Sequence, residues 1–252
     1  MLTFSLQSGS NGNSIYVETS EVRLLFDAGI SGRATEERLA AHGRDIRAVD
    51  ALILSHNHRD HVCGAGVLQR RFSLPIFITP RSYRACREDL GTCGDIRYFD
   101  PGQTLDFGRI AVQTVPTAHD GKDGVAFIIS EKGRKLGIFT DLGHRFAGIE
   151  TWISTLDGMY LESNYDPDML AEGMYPSWLK RRIRGQGGHL SNLEAAELVR
   201  DTTAQLQFLI LSHLSENNNE PELALATARK FLGESFPLAL APRDRVGEIF
   251  SL

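Results

Sequence analysis

The sequence predicts an α/β fold, and three observations carry that prediction. Short apolar runs of strand length alternate with amphipathic helical stretches along the whole 252-residue chain. No internal repeat, low-complexity tract or Pro/Ser-rich linker interrupts the alternation, so residues 1–252 read as one layered domain. Several apolar runs end on a polar, metal-capable residue, which suits strands that anchor in a core and deliver their last side chains to a common edge.

In order, Ile15-Tyr16-Val17 and residues 22–26 read as a hairpin, 35–42 as a helix, and 51–54 as a short buried strand. Residues 64–72 fit a helix and 75–78 the next strand. The middle is rich in strands, at 96–99, 110–115, 125–130 and 136–140, followed by 159–162. Helical patterns return at 177–184 and 193–200, then a buried strand at 208–211 and a helix at 222–232.

Composition narrows the class. The chain is 42% hydrophobic and 23% charged, which allows a sizeable core. No apolar run approaches the roughly 20 residues needed to span a bilayer, so no membrane association is expected. The first residues lack a basic region followed by an apolar stretch, so a secretory signal is not expected. Cys63, Cys86 and Cys93 form no even-numbered framework and no Cys-x-x-Cys pair, which favours a reducing, cytoplasmic setting. The net charge of −5 argues against a broad basic footprint for nucleic acid, although a small local patch can hold a phosphate.

The densest chemical signal is Ser55-His56-Asn57-His58-Arg59-Asp60-His61, in a chain with only 8 histidines. In extended backbone His56 and His58 point to the same side, because the side-chain period is two. A turn after Arg59 can bring Asp60 and His61 to a second metal. Imidazole and carboxylate ligands without thiolate suit Zn, Mn or Fe. Other strand-like runs lead to Asp27, Asp141, Glu162 and His213. Taken alone, His119 or His213 reads as a surface or satisfied core histidine.

His-x-His-x-Asp-His after a buried strand resembles the signature of the metallo-β-lactamase superfamily. The resemblance implies a four-layer αβ/βα sandwich and two divalent metal ions. It places His56, His58 and His119 on the first metal, and Asp60, His61 and His213 on the second, with Asp141 bridging them. Asp27 matches an early Asp that supports the metal loop by hydrogen bonds. Glu162, and His189 in Gly188-His189-Leu190-Ser191-Asn192, resemble the Glu and His of ribonuclease Z-like phosphodiesterases, which assist the leaving group. A carboxylate beside an imidazole favours its protonated form, as a general acid needs. The plainer alternative makes Glu162 a surface carboxylate and His189 a helix cap.

Within the superfamily, Ser8-Gly9-Ser10-Asn11-Gly12-Asn13-Ser14, Leu161-Glu162-Ser163-Asn164-Tyr165-Asp166 and Leu211-Ser212-His213-Leu214-Ser215 resemble blocks of the WalJ/YycJ-type group, described as DNA exonucleases. Tyr165 departs from that group, which commonly has His there; a tyrosine can still donate a hydrogen bond. His58 argues against the flavodiiron branch, which carries Glu at its position. Asp141 argues against the β-lactam-opening enzymes, which carry Cys. Lys180, Arg181, Arg182 and Arg184 form a basic run before a glycine-rich stretch, which reads equally as a phosphate-binding patch or as a solvated helix end.

The resulting expectation is a metal-dependent phosphodiesterase acting on nucleic acid, with DNA favoured. Asp60, Glu162 and His189 are its candidate catalytic residues. The alternative is a small-molecule hydrolase on the same site, for a cyclic phosphodiester, thioester or lactone. A non-catalytic metal-binding scaffold fits the intact ligand set less well.

Overall fold

A computed structural model of the protein describes residues 1–202 and 204–252. The N-terminal half supplies β1 (Leu2–Gln7), β2 (Ser14–Glu18), β3 (Arg23–Phe26), α1 (Gly32–Ala41), β4 (Ala51–Ile53), α2 (Arg59–Val62), α3 (Ala65–Phe72), β5 (Ile76–Ile78), α4 (Pro80–Leu90) and β6 (Ile96–Tyr98). Next come β7 (Thr104–Phe107), β8 (Ile110–Pro116), β9 (Val125–Glu131), β10 (Arg134–Phe139), α5 (Ile149–Ile153) and β11 (Gly158–Glu162). The chain finishes with α6 (Pro167–Glu172), α7 (Ser177–Arg184), α8 (Asn192–Arg200), β12 (Phe208–Ser212), α9 (Pro221–Leu232), β13 (Leu238–Leu240) and β14 (Phe250–Ser251).

Two seven-stranded mixed sheets result, in the orders β14-β1-β2-β3-β4-β5-β6 and β13-β12-β11-β10-β9-β8-β7. Their inner faces meet in a core that includes Ile15, Val17, Leu24, Phe26 and Ile53 from the first sheet and Phe127, Ile129, Ile138, Tyr160 and Ile210 from the second. The outer face of the first sheet packs through Leu25 and Leu52 on Leu39, Leu68, Cys86 and Leu90 of α1, α3 and α4. The outer face of the second packs through Leu161, Leu209 and Leu211 on Ile149, Ile153, Leu198 and Ala228 of α5, α8 and α9. Successive strand residues point to opposite faces, so Leu209 and Leu211 face helices while Phe208 and Ile210 face the other sheet. The outcome is the expected αβ/βα sandwich of four layers.

The expected hairpin is present: β2 and β3 pair antiparallel, with Ile15 opposite Phe26. What positions the site is parallel pairing. β3 and β4 run parallel, as do β10, β11 and β12. Parallel neighbours end at one level, so Asp27 and His56 leave the first sheet together. Glu162 pairs with Ser212, the residue before His213, and Phe139 pairs with Leu161, two residues before Asp141. The carboxyl ends of parallel strands are where open α/β sheets gather their polar residues.

Candidate metal centre

The His motif follows β4. His58 caps α2 with extended backbone (φ −66°, ψ 145°), and Arg59–Val62 form one helical turn rather than the simple turn after Arg59 that the sequence suggests. The reason lies in the neighbouring loops: Asn13 N–H donates to the Asp60 carbonyl at 2.8 Å and Ala28 N–H to the His61 carbonyl at 2.8 Å. This docking needs Gly29, where a Cβ would stand 1.6 Å from the Asp60 carbonyl oxygen.

Asp27 anchors the motif. Its carboxylate accepts from Ser55 N–H at 2.7 Å and from Ser55 Oγ at 2.8 Å, and lies 2.7 Å from His61 Nδ1. Holding Nδ1 this way aims Nε2 at the site, the arrangement by which carboxylates orient metal-binding imidazoles. Ser55 Oγ is also 3.0 Å from His56 Nδ1.

The remaining candidates converge from the second sheet. His119 Nδ1 sits 2.8 Å from the Gly188 carbonyl, and its Nε2 is 3.1 Å from His58 Nδ1. Asp141 lies centrally: Oδ2 is 3.0 Å from His61 Nε2 and 3.6 Å from His213 Nε2, while Oδ1 is 3.5 Å from His119 Nε2. His213 Nε2 is 3.5 Å from Asp60 Oδ2. The ligand-capable atoms of His56, His58 and His119 lie within 4.8 Å of one another, as do those of Asp60, His61 and His213, and those of His56, His61 and Asp141. The seven residues therefore form adjoining groups, with Asp141 between them.

The donor set fits bound cations. His56 Nε2 and Asp141 Oδ2 are buried polar atoms with no hydrogen-bond partner among the described residues. Such orphans cost free energy unless something satisfies them, and both belong to this cluster. Burial, together with neighbouring His61, holds His56 well below the ordinary imidazole range, leaving a neutral ring with a free lone pair. At His61 burial also opposes charge, but Asp27, Asp141 and Asp60 outweigh it and raise the group well above that range. His213 behaves likewise: burial is overcome, chiefly by Asp141, and the group is raised to about 9. Burial is again outweighed at Asp141, where His213, His61 and His119 hold the carboxyl well below the usual carboxylate range. Carboxylates packed this tightly among imidazoles demand positive charge, and a proton or a metal competes for the same nitrogen lone pairs. His/Asp clusters of this composition are suited to a dinuclear metal site.

Glu162 and His189 meet at the rim of this cluster. Glu162 is fully buried; Oε1 lies 2.6 Å from His189 Nδ1, and Oε2 accepts from Leu142 N–H and Leu190 N–H, each at 3.1 Å. Both carboxylate oxygens are thus engaged. His189 is partly exposed and stands 3.5 Å from Asp141 Oδ1, its ring 4.9 Å from that of His119 and 5.3 Å from that of His213. His58, Asp60 and His189 are partly open to solvent, whereas His56, His61, His119, Asp141 and His213 are buried. The accessible side of the site therefore runs along His58, Asp60 and His189.

The sequence profile of the metallo-beta-lactamase superfamily matches residues 8–170. The chain belongs to the metallo-beta-lactamase superfamily. It is 35% identical over 232 residues to an exodeoxyribonuclease YycJ of Bacillus anthracis, across 91% of this chain and 88% of that protein. It is also 35% identical over 230 residues to the exodeoxyribonuclease WalJ of Streptococcus pneumoniae, across 88% of this chain and 84% of the relative. Among solved structures, the metallo-beta-lactamase fold protein YhfI from Bacillus subtilis superposes with a TM-score of 0.77 at 18% identity, over 99% of both chains, which establishes the shared fold.

Several residues around this metallo-beta-lactamase site carry little or no signal in the sequence. Asp120 is the clearest: Oδ1 is 3.4 Å from His58 Nε2 and 3.6 Å from His119 Nε2, and Oδ2 accepts from Arg182 Nε at 2.7 Å. Its only sequence signal is adjacency to His119. Asn13 Nδ2 lies 3.0 Å from His61 Nε2 and 3.3 Å from Asp60 Oδ2, so the Ser-Gly-Ser loop reaches the His motif. The same loop reaches His213, whose N–H donates to Ser8 Oγ at 2.8 Å. Asn164 Nδ2 lies 3.0 Å from His213 Nδ1 and donates to its carbonyl at 2.8 Å. Tyr165 is buried, and burial pushes its phenol up to about 12.

The basic run points in more than one direction, with Lys180, Arg181 and Arg184 around one shallow cavity and Arg182 toward the His/Asp cluster. Arg182 is paired with Asp120, Lys180 Nζ donates to the Ala171 carbonyl at 2.7 Å, and Arg184 donates to the Pro167 carbonyl at 3.2 Å.

Proposed function

We propose that the chain is a metal-dependent phosphodiester hydrolase acting on nucleic acid, and specifically a DNA exonuclease, working as one unit over residues 1–252. The observation that carries this reading is the Glu162–His189 pair, 2.6 Å apart, beside the His/Asp groups and within ligand distance of Asp141 and His213. A hydrolase that only adds water to a carbonyl has less need of a separate imidazole for the leaving group. An ester of a poor alcohol, such as a nucleotide 3′- or 5′-oxygen, needs a proton there. The names of the bacterial relatives, exodeoxyribonucleases at 35% identity over most of both chains, support DNA as the polymer.

In this reading His56, His58 and His119 would hold one divalent ion and Asp60, His61 and His213 the other, with Asp141 available to both. The ligand types suit Zn, Mn or Fe. Bound ions supply Lewis acidity, offsetting phosphate charge and lowering the pKa of water toward neutrality. Asp60, partly open to solvent, orients the attacking water and takes its proton. His189 protonates the leaving oxygen. Glu162 holds that imidazole in place through Oε1, while Oε2 ties the loops after β10 and before α8 to the same carboxylate.

The three cysteines are unpaired, as a reducing compartment allows, and we place the enzyme in the cytoplasm. No helix among the described residues is long and apolar enough to cross a membrane.

The test is metal-loaded protein on end-labelled DNA and RNA, alongside bis-p-nitrophenyl phosphate, a thioester and a lactone. The expected result is stepwise shortening of DNA, with turnover of the aryl phosphodiester. Turnover of the thioester or lactone without phosphodiester cleavage would overturn the reading.

A further inference from the structure

The α6–α7 segment carries a surface that the chemistry at the metal centre does not use. No residue of α7 is buried. Trp178 is 61% exposed and Met174, just before the helix, is 99% exposed. Large apolar side chains at such exposure lose the hydrophobic stabilisation that burial would give. Beside them, Ser177, Lys180, Arg181, Arg184 and Gly185 line a shallow cavity of about 350 Å³. Spacings of three, four and seven residues put Ser177, Lys180, Arg181 and Arg184 on one helix face. Trp178 flanks that face, three residues before Arg181 and four before Arg182. Helix α7 contains no acidic residue, in a chain whose net charge is −5.

This surface is fastened to the metal centre. Arg182 Nε donates to Asp120 Oδ2 at 2.7 Å, and Asp120 Oδ1 is 3.4 Å from His58 Nε2. Asp120 N–H donates to the Gly187 carbonyl at 3.0 Å, and the next carbonyl, Gly188, holds His119 Nδ1 at 2.8 Å. Gly188 permits the turn from α7 into His189, since a Cβ there would lie 2.0 Å from the Ile183 carbonyl oxygen. Because Arg182 faces the site and Arg181 the cavity, one helix presents cations in two directions. A strand whose phosphate sits among the metal ligands can leave the site along α7.

Resting on the phosphodiesterase reading above, we infer that α7 is a subsite for a single-stranded segment of the polynucleotide. Trp178 stacks on an unpaired base, and Lys180, Arg181 and Arg184 hold the phosphate next to it. An exposed indole beside guanidinium groups is the combination that binds single strands without sequence preference: every base offers a π-face, and the cations follow the backbone. Inside a duplex both faces of each base are already stacked on its neighbours, so beyond the end pair base-paired DNA offers the indole no face. The subsite thereby selects a free or frayed strand and sets how far from the cut the enzyme grips it.

The experiment uses metal-loaded protein and a short phosphorothioate oligodeoxynucleotide, which resists cleavage. The chain has 2 tryptophans, Trp178 and the half-buried Trp152 on α5, so Trp178→Phe leaves Trp152 alone to emit and separates the two signals. The single strand should quench the emission, and Trp178→Phe should show this quench to be indole-specific by abolishing most of it. Trp178→Ala should weaken binding by about 5- to 150-fold. Lys180→Ala/Arg181→Ala/Arg184→Ala should flatten the salt dependence by about 0.7 in log–log slope for each phosphate that is no longer neutralised. With cleavable substrates, the ratio of kcat/KM for the oligonucleotide to that for bis-p-nitrophenyl phosphate should fall about tenfold or more in either variant. Circular dichroism and metal content check that the fold is retained. Wild-type affinity and salt slope in both variants, with DNA still cut by the parent protein, would overturn the subsite and leave the nuclease reading standing. A blunt duplex that binds as tightly as the single strand and quenches equally would also overturn it. A parent protein that neither binds nor cuts any oligonucleotide would overturn both.

Discussion

Replacing His189 tests whether it delivers a proton, as proposed, or joins Asp141, Glu162 and His213 in holding a metal, since all four lie within ligand distance of one another. Its Nδ1 is 2.6 Å from Glu162 Oε1, and that carboxylate has its other oxygen committed to two backbone N–H groups. His189→Ala removes the imidazole and leaves Glu162 buried with only those two donors. A positioned general acid contributes about 10²–10⁴-fold, so kcat on a dinucleotide, whose leaving alkoxide needs a proton, should fall by that much. A p-nitrophenyl phosphodiester should lose far less, since nitrophenolate departs unprotonated. Glu162→Gln adds a graded version. The amide can direct its oxygen to the Leu142 and Leu190 N–H groups only by turning its NH₂ toward His189, which then must accept rather than donate at Nδ1. A charge-assisted hydrogen bond of about 1.5–3 kcal/mol is lost, which converts to about 10- to 150-fold on the poor leaving group. The assay is kcat on both substrate types together with metal content by mass spectrometry. Equal losses on both substrates would make His189 a phosphate-binding residue, and loss of metal would make it a ligand; either result refutes the argument.

Three other perturbations follow from the same geometry. Asp141→Ala should lower the bound metal from about two ions per chain to one or none, and abolish activity, as elemental analysis after dialysis would show; a dinuclear centre should place its ions roughly 3.5–4 Å apart. Asp27→Ala removes the carboxylate partner of Ser55 N–H and His61 Nδ1 in a buried site, leaving Ser55 Oγ with His56 Nδ1; with about 1–3 kcal/mol at stake for each unsatisfied group and partial relaxation, metal-free protein should lose about 2–4 kcal/mol in denaturant titrations. Gly29→Ala sets a methyl against the Asp60 carbonyl, so it should cost metal affinity more than global stability, read by competition with a chelator.

Much of this is legible in the sequence because the site is built on strand ends. An apolar run that stops at an acid or a histidine states both the strand and what it delivers, and Asp27, His56, Asp141, Glu162 and His213 all read this way. Other elements are silent for physical reasons. β1 carries Thr3, Ser5 and Gln7 at positions that pattern as solvent-facing, yet all are buried, Thr3 Oγ1 lying 3.1 Å from Tyr160 Oη across the sandwich. α4 carries Tyr83, Cys86 and Leu90 at helical spacing in PRSYRACREDL, but buries only Ser82, Cys86 and Leu90, so a single large aliphatic anchor stands among many charges. Asp120 and Asn164 act through contacts 62 and 49 positions away along the chain, and no local pattern encodes such a pairing. The basic run looks uniform in the sequence because four neighbouring cations differ only in the direction that helix geometry gives each one.

The backbone at the site argues that its side chains are held rather than merely present. Three of the non-glycine residues with positive φ are Asp27 (62°), Asp141 (53°) and His213 (56°), each directly following a strand or one residue beyond it. Left-handed backbone costs a residue with a Cβ about 1–2 kcal/mol, and a strand continuing in extended form would avoid that cost but send the next side chain back toward a sheet face. Turning left-handed at the strand end instead swings the carboxylate or imidazole across the end of the sandwich, where the two sheets can share one site. The surrounding hydrogen bonds hold that conformation. The Asp27 N–H donates to the Ile53 carbonyl at 2.9 Å, and His213 is gripped through its N–H by Ser8 and through its carbonyl by Asn164. The Ser-Gly-Ser loop and the Asn two residues after Glu162 are therefore part of the construction of the candidate metal site: they hold the left-handed backbone at His213 through its N–H and its carbonyl.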